Sequence, residues 1–196
     1  MTSDINICNM ALGNIGAEPI ISFEDESQTA RICKMHYEHV IDYLLAGHPW
    51  GFNRRLIALI ESSETKAAGW NYLYVYPVEA LNINRIFSAK SSSERSDFII
   101  TLGEKRRIAC NLPPDGSVYA ECRVAVEDVS LWPPQFVEVV VWLLASRLAL
   151  SLARSSEVAQ SCVAMYQQAL GEACALCANE SHNSAWFGSS WLEGRD

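Results

Sequence analysis

His36-Tyr37-Glu38-His39 sets two imidazoles three residues apart with a carboxylate between them. On a helix both rings fall on one side, and metal ligands can be arranged that way. A third ligand at a recognisable step is missing, however, and the HExxH spacing of zinc peptidases is not present. Cys174-Ala175-Leu176-Cys177 is a CxxC at the end of a helical pattern. Redox motifs of this form belong at the start of a helix that follows a strand, where the dipole lowers the thiol pKa. Two core cysteines are the better reading. Gly103-Glu104-Lys105 lacks the glycine pattern and the Ser or Thr of a phosphate loop, so it reads as a turn. No GxSxG occurs, and His48 with scattered serines gives no triad. Catalytic, cofactor-binding and metal residues are therefore read as none, and no cofactor is expected. The alternative from another class is a small intracellular metal-dependent enzyme that uses His36, His39 or the cysteines. A metal assay separates the two, because stoichiometric zinc or iron would support the enzyme.

The elements that carry these residues are organised around a long apolar stretch. Pro133-Pro134 supplies a helix start, since proline tolerates the first turn. Phe136 to Ala153 then runs FVEVVVWLLASRLALSLA, with polar side chains only at Glu138, Ser146, Arg147 and Ser151. Glu138 and Arg147 are nine residues apart and point to opposite sides of the cylinder. With no single face left to water, this helix is expected to be packed on most sides, as a bundle spine or at a subunit contact. Its two charges interrupt the run a membrane span would need. After Arg154-Ser155-Ser156 a second helix carries Val158, Cys162, Met165, Tyr166, Ala169, Ala173 and Leu176 on one stripe.

The 196 residues make one domain of moderate size, or one with an inserted lobe. Fifteen Lys and Arg against 23 Asp and Glu give a net charge of −8, so a basic footprint for gripping nucleic acid is absent. An acidic surface suits a passage that must not hold DNA by its phosphates. Seven cysteines without framework spacing, and an N-terminus without a basic start or apolar run, point to reduced core thiols in a cytoplasmic setting.

At the N-terminal end, Ser3 or Asp4 can cap a helix with Ile5, Cys8, Leu12 and Ile15 inside, ended by Gly13 and Gly16. An acidic link holding Glu24, Asp25 and Glu26 leads to a helix opened by Ser27 or Thr29. Its inner stripe is Ala30, Cys33, Tyr37, Val40, Ile41 and Leu44. The period then changes. Trp70-Asn71-Tyr72-Leu73-Tyr74-Val75-Tyr76 alternates strictly with four rings on one face, which predicts a strand. Segments 56–60, 84–88, 98–102, 107–110 and 118–126 continue in that style, with a tight turn at Asp115-Gly116. The segment SAKSSSERSD has nothing to place in a core and reads as a mobile loop.

The predicted fold is thus α+β, mainly α. An antiparallel helical bundle (1–55 and 129–178) has a small antiparallel β lobe (56–128, mobile loop 88–97) inserted between its two helix pairs, and 179–196 forms a flexible tail. That tail carries Trp186, Phe187 and Trp191 among polar residues. Three such rings either fold back on the bundle or fill pockets on a partner or neighbouring subunit, and the second is preferred.

The order helix, LGNIGAEPI, acidic link, Ser-Gln-Thr-Ala-Arg helix, HPWGFNRR, Tyr-rich strands and WPPQFVEVVVWLLASRLAL resembles the tail tubular protein A family of short-tailed bacteriophages, the head-to-tail adaptor or gatekeeper proteins. The resemblance runs to about residue 178. Its most specific parts are Leu12-Gly13 with Gly16 and Pro19, Trp50-Phe52-Asn53, and Pro133-Pro134 with Phe136. It implies a structural virion protein with no enzymatic activity, located in the neck or tail and assembled in the bacterial cytoplasm. It implies a ring, a dodecamer in the family, beneath the portal protein and above the tubular nozzle protein, extending the channel for DNA ejection, with no membrane contact. On this reading Trp186, Phe187 and Trp191 contact the portal or a neighbouring subunit. Trp142, Arg147, Trp50 and Phe52 pack between subunits. Glu24, Asp25, Glu26, Glu127 and Asp128 are candidates for the channel wall, past which DNA moves without specific binding. A head-completion or connector protein of a long-tailed phage is the alternative within the same functional neighbourhood.

Overall fold

A computed structural model describes residues 3–64, 67–91 and 96–183. The fold is α+β, mainly α, with four helices and two small antiparallel sheets among the described residues. The chain divides into two compact units, Met1–Phe52 with Val126–Asp196, and Asn53–Ala125.

In the first unit, helix α1 (Asp4–Asn14) begins where the Ser3 hydroxyl accepts the Asn6 amide at 3.3 Å. It ends through Gly16, whose φ of +69° lets the Ala17 amide reach back to the Leu12 carbonyl at 3.0 Å. Asn9 then fixes the exit of the chain. Its side chain donates to the Ile20 carbonyl at 2.9 Å and accepts the Ile20 amide at 2.8 Å, so a side-chain amide pairs the link as a strand would. Helix α2 (Gln28–Gly47) is capped by Ser27, which accepts the Ala30 amide at 3.1 Å. It buries Ala30, Cys33, Tyr37, Val40, Leu44 and Leu45. The Tyr37 hydroxyl donates to Asp4 at 2.9 Å and joins α2 to the start of α1.

Helix α3 (Pro134–Leu152) starts on Pro133-Pro134 with no side-chain cap, as the prolines allow. It is long and apolar enough to cross a membrane by composition, but 61% of that stretch is buried, and α3 packs against α1, α2 and α4. Its one buried hydroxyl, Ser146, donates to the Leu143 carbonyl at 2.7 Å. At Arg154 (φ +51°) the backbone turns left-handed, and Ser155 caps helix α4 (Ser156–Asn183) by accepting the Val158 amide at 3.3 Å. The helix continues to Asn183, five residues into the segment read as a tail, because the sequence there turns polar without a helix breaker. Within α4, Cys162, Ala169 and Ala173 are buried. Met165 and Leu176, expected on the same inner stripe, are 39% and 45% exposed, so the stripe that meets α3 is narrower than predicted.

The second unit holds strands β1 (Arg54–Ala58), β2 (Tyr72–Val75), β3 (Ala80–Ser88), β4 (Phe98–Leu102), β5 (Arg106–Cys110) and β6 (Val118–Val124). They form two three-stranded antiparallel sheets, ordered β1-β6-β3 and β2-β5-β4. Register places Ile57 opposite Ala120, Ile86 opposite Ala120 and Tyr74 opposite Ile108. These residues, with Ile83, Val118 and Cys122, share one core, against which Trp70 and Tyr72 also pack. The four alternating rings do therefore share a buried side, and the Tyr74 hydroxyl finds the Leu112 carbonyl at 2.8 Å. Gly103 to Lys105 forms the turn between β4 and β5. In the predicted loop 88–97, Ala89–Ser91 is a 3-10 turn, and 92–95 lie outside the described residues.

Candidate functional site

The start of α3 is where the first unit gathers its aromatic residues. Phe136 is 1% exposed. Its ring lies 4.9 Å from those of Trp50 and Phe52 and 5.1 Å from Trp132, all three edge-on. Edge-on contact sets the positive rim of one ring against the negative face of another. The two indoles are satisfied by backbone: Trp50 donates to the Leu44 carbonyl at 2.8 Å and Trp132 to the Val126 carbonyl at 2.9 Å. Trp50 is only 2% exposed. Its expected place between subunits is corrected accordingly, since the ring is spent inside its own bundle and closes the end of α2. Phe52 is half-buried in the same cluster.

Outside this cluster runs an apolar groove. One part, about 110 Å³, is lined by Trp50, Phe52, Pro133, Phe136, Leu176 and Cys177. A second, about 260 Å³, is lined by Pro134, Glu138, Ala169 and Glu172 and shares Gln135, Ala173 and Leu176 with the first. Helices α3 and α4 supply most of the wall because they form a hairpin, which brings the first turns of one against the second half of the other, and Trp50 and Phe52, beyond the end of α2, complete it.

Helix α3 reaches the surface on two opposite sides. On one, Glu138 is exposed and Trp142 half-buried, the indole donating to the carboxylate at 2.6 Å. On the other, Arg147 and Ser151 are exposed and Leu150 is 64% exposed. At 100° per residue the two sets lie about 160° apart around the axis. Around Arg147 the neighbouring helices contribute His36, Tyr43 and Tyr166. Burial first, then the Arg147 guanidinium and His39, holds His36 below the ordinary imidazole value. Burial and then Tyr43 raise the Tyr166 phenol, against the pull of Arg147. Tyr43 is 52% exposed, so this face offers a ring and a guanidinium to a neighbour.

The acidic candidates divide. Glu24, Glu26, Glu127 and Asp128 are exposed, and Asp25 is half-buried. Asp25 accepts the Ile21 and Ser22 amides, and Asp128 accepts the Ser130 amide at 2.9 Å, so each also shapes a local turn. The Ser130 hydroxyl and amide hold Asp128 below the usual carboxylate range. Ser22 and then Lys34, 3.5 Å away, do the same for Glu24.

Among the described residues no group of three or more His, Cys, Asp or Glu side chains is gathered to hold a metal. The fold does bring His48 to Cys174, Nδ1 to Sγ 3.9 Å, across 126 residues of sequence, a pairing that no local spacing announces. Burial and then Cys177 push the Cys174 thiol up, the opposite of what a nucleophile needs. All seven cysteines are free thiols, five of them buried. Trp186, Phe187 and Trp191 lie outside the described residues. Set against known protein families and curated proteins, the sequence matches none.

Proposed function

We propose that the protein is a structural subunit of a short-tailed phage virion, a head-to-tail adaptor that forms a ring between the portal and the tubular nozzle protein and extends the DNA channel. The observation that carries the reading is the position of α3. It is the core of its own bundle, yet it surfaces on two opposite sides, at Glu138 with Trp142 and at Arg147 with Leu150. A closed ring built from one kind of subunit needs two unlike contact faces on each copy, and a spine that reaches both couples them rigidly. Trp142 and Arg147 are the residues this reading keeps between subunits, while Phe52 belongs to the rim of the aromatic cluster. The sequence order that resembles the tail tubular protein A family adds independent support, as does the lack of any catalytic motif in the sequence.

Exposed carboxylates at Glu24, Glu26, Glu127 and Asp128, on a chain of net charge −8, suit a wall past which phosphates slide without adhering. The protein should therefore show weak or no binding to free duplex DNA at physiological salt, measured by fluorescence anisotropy; tight binding would remove the channel role. Addition of the purified protein to capsids or portal rings, followed by electron microscopy, tests the whole reading. A ring of copies seated on the portal is the expected outcome. A protein that stays single in the presence of its portal, or that turns over a substrate, overturns it.

A further inference from the structure

The first unit, Met1–Phe52 with Val126–Asp196, holds five Lys and Arg against fifteen Asp and Glu, so a cation in it has a wide choice of acids. Arg31 donates to the Glu26 carbonyl, and Lys34 pairs with Glu24 at 3.5 Å. Arg147 is different. Its guanidinium is exposed, and among the described residues no carboxylate pairs with it. Beside it stand His36 of α2 and Tyr166 of α4, with Tyr43 next to Tyr166. Glu38 and Asp42 on α2 are turned away from Tyr43 by about 140° and 100° around that helix.

The opposite side of α3 carries the other sign. Glu138 and Glu172 are exposed on one groove. Their hydrogen bonds come from neutral donors, the Trp142 indole at 2.6 Å and the Gln168 amide at 3.0 Å. One turn along from each, Trp142 is half-buried and Leu176 is 45% exposed, so apolar surface flanks the two acids.

We infer that these two faces are each other's partner on successive copies of this chain: Glu138 and Glu172 of one copy receive Arg147 of the next, and Tyr43 and Leu150 cover Trp142 and Leu176. The inference rests on the ring reading for its setting and goes beyond it in fixing which face meets which. Sign is the first argument. A two-fold dimer through either face would set like charge against like, which costs several kcal/mol, whereas the two faces together neutralise each other. Direction is the second. The faces lie about 160° apart around α3, and faces so nearly opposite suit a ring of many copies, in which each step turns by only a small angle. Chemistry is the third. A guanidinium fork has donors enough for two carboxylates, and Arg, Tyr and Trp are the types enriched where subunits meet.

Reversing each face tests the pairing. Glu138→Lys with Glu172→Lys makes one variant and Arg147→Glu the other; all three positions are exposed, and circular dichroism checks that both variants fold. Assembly is followed by sedimentation velocity on concentrated protein and by electron microscopy of copies seated on portal rings. Each variant alone should need roughly tenfold more protein than the wild type to assemble, because like charges then meet. Mixed in equal amounts, the two should assemble again, since the reversed face of each meets the opposite sign on the other. Variants that assemble alone as the wild type does, or a mixture that recovers nothing, overturn the pairing. So does wild-type protein that stays single under both conditions, which takes the ring reading with it. Wild-type copies that seat on the portal while mixing recovers nothing sink the pairing and leave the adaptor standing. Recovery by mixing in solution beside bare portals keeps the pairing and removes the adaptor.

Discussion

Replacing Phe136 by alanine removes the ring on which Trp50, Phe52 and Trp132 converge. The side chain is 1% exposed and sits at the first turn of the helix that packs against the other three. Large-to-small changes of a buried Phe cost about 3–5 kcal/mol. Each edge-on ring contact adds roughly 0.5–1.5 kcal/mol beyond area, part of it already counted. Three such contacts place Phe136→Ala near the upper end, about 4–5 kcal/mol, a large share of the roughly 5–15 kcal/mol that holds a typical domain. Urea unfolding followed by far-UV circular dichroism measures the loss, and Trp50 and Trp132 fluorescence reports the cluster directly. Trp142→Ala, six residues along the same helix, is the control. Its ring is half-exposed and its indole bond to Glu138 lies at the surface, so it should cost under about 1 kcal/mol while weakening ring formation. If Phe136→Ala cost less than about 1 kcal/mol, or if Trp142→Ala were the more destabilising, the division between spine and contact face would be wrong.

Two further outcomes follow from charges. Glu121, 8% exposed on β6, takes Arg85 at 2.9 Å and Asn84 at 3.4 Å, with Arg54 at 4.0 Å. Both arginines keep access to water, so Glu121→Ala should cost about 1–3 kcal/mol in denaturant unfolding, the range for a charged hydrogen bond, and Glu121→Gln less. His36, held below the ordinary imidazole value, binds its proton more readily in the unfolded chain. Stability from this group is full above about pH 6.5 and declines as pH falls through and below that value. His36→Gln should flatten the decline between pH 7 and 5 in thermal melts; an equally steep decline would show that other groups cause it.

What could be read in the sequence was local. Ser3 and Ser27 cap the helices they precede, Pro133-Pro134 opens α3, and strict alternation from Trp70 to Tyr76 turns four rings to one side, because each device acts within a few residues of itself. Partners distant in sequence could not be read that way. The six strands were legible, but their sorting into two sheets depends on β1 meeting β6 across some sixty residues, which periodicity does not encode. The Asn9 clamp on Ile20, the His48 approach to Cys174 and the Arg pair on Glu121 are of the same kind. Trp50 misled for a related reason: after a helix-ending Gly47 and Pro49 it has the look of an exposed corner, yet the chain folds it under α3. The end of α4 was set too early because loss of amphipathicity is not loss of helix. At the surface, the two opposed exposed sides of α3 followed from the nine-residue step between Glu138 and Arg147, while the groove needed the hairpin to exist.

Electron microscopy of the purified protein mixed with its portal tests the central claim most directly. The account predicts copies arranged as a closed ring on the portal, with α3 inside each bundle and Trp142 and Arg147 at the seams between neighbours. Portal particles that remain bare beside free monomers, or a ring whose seams avoid both residues, would contradict it.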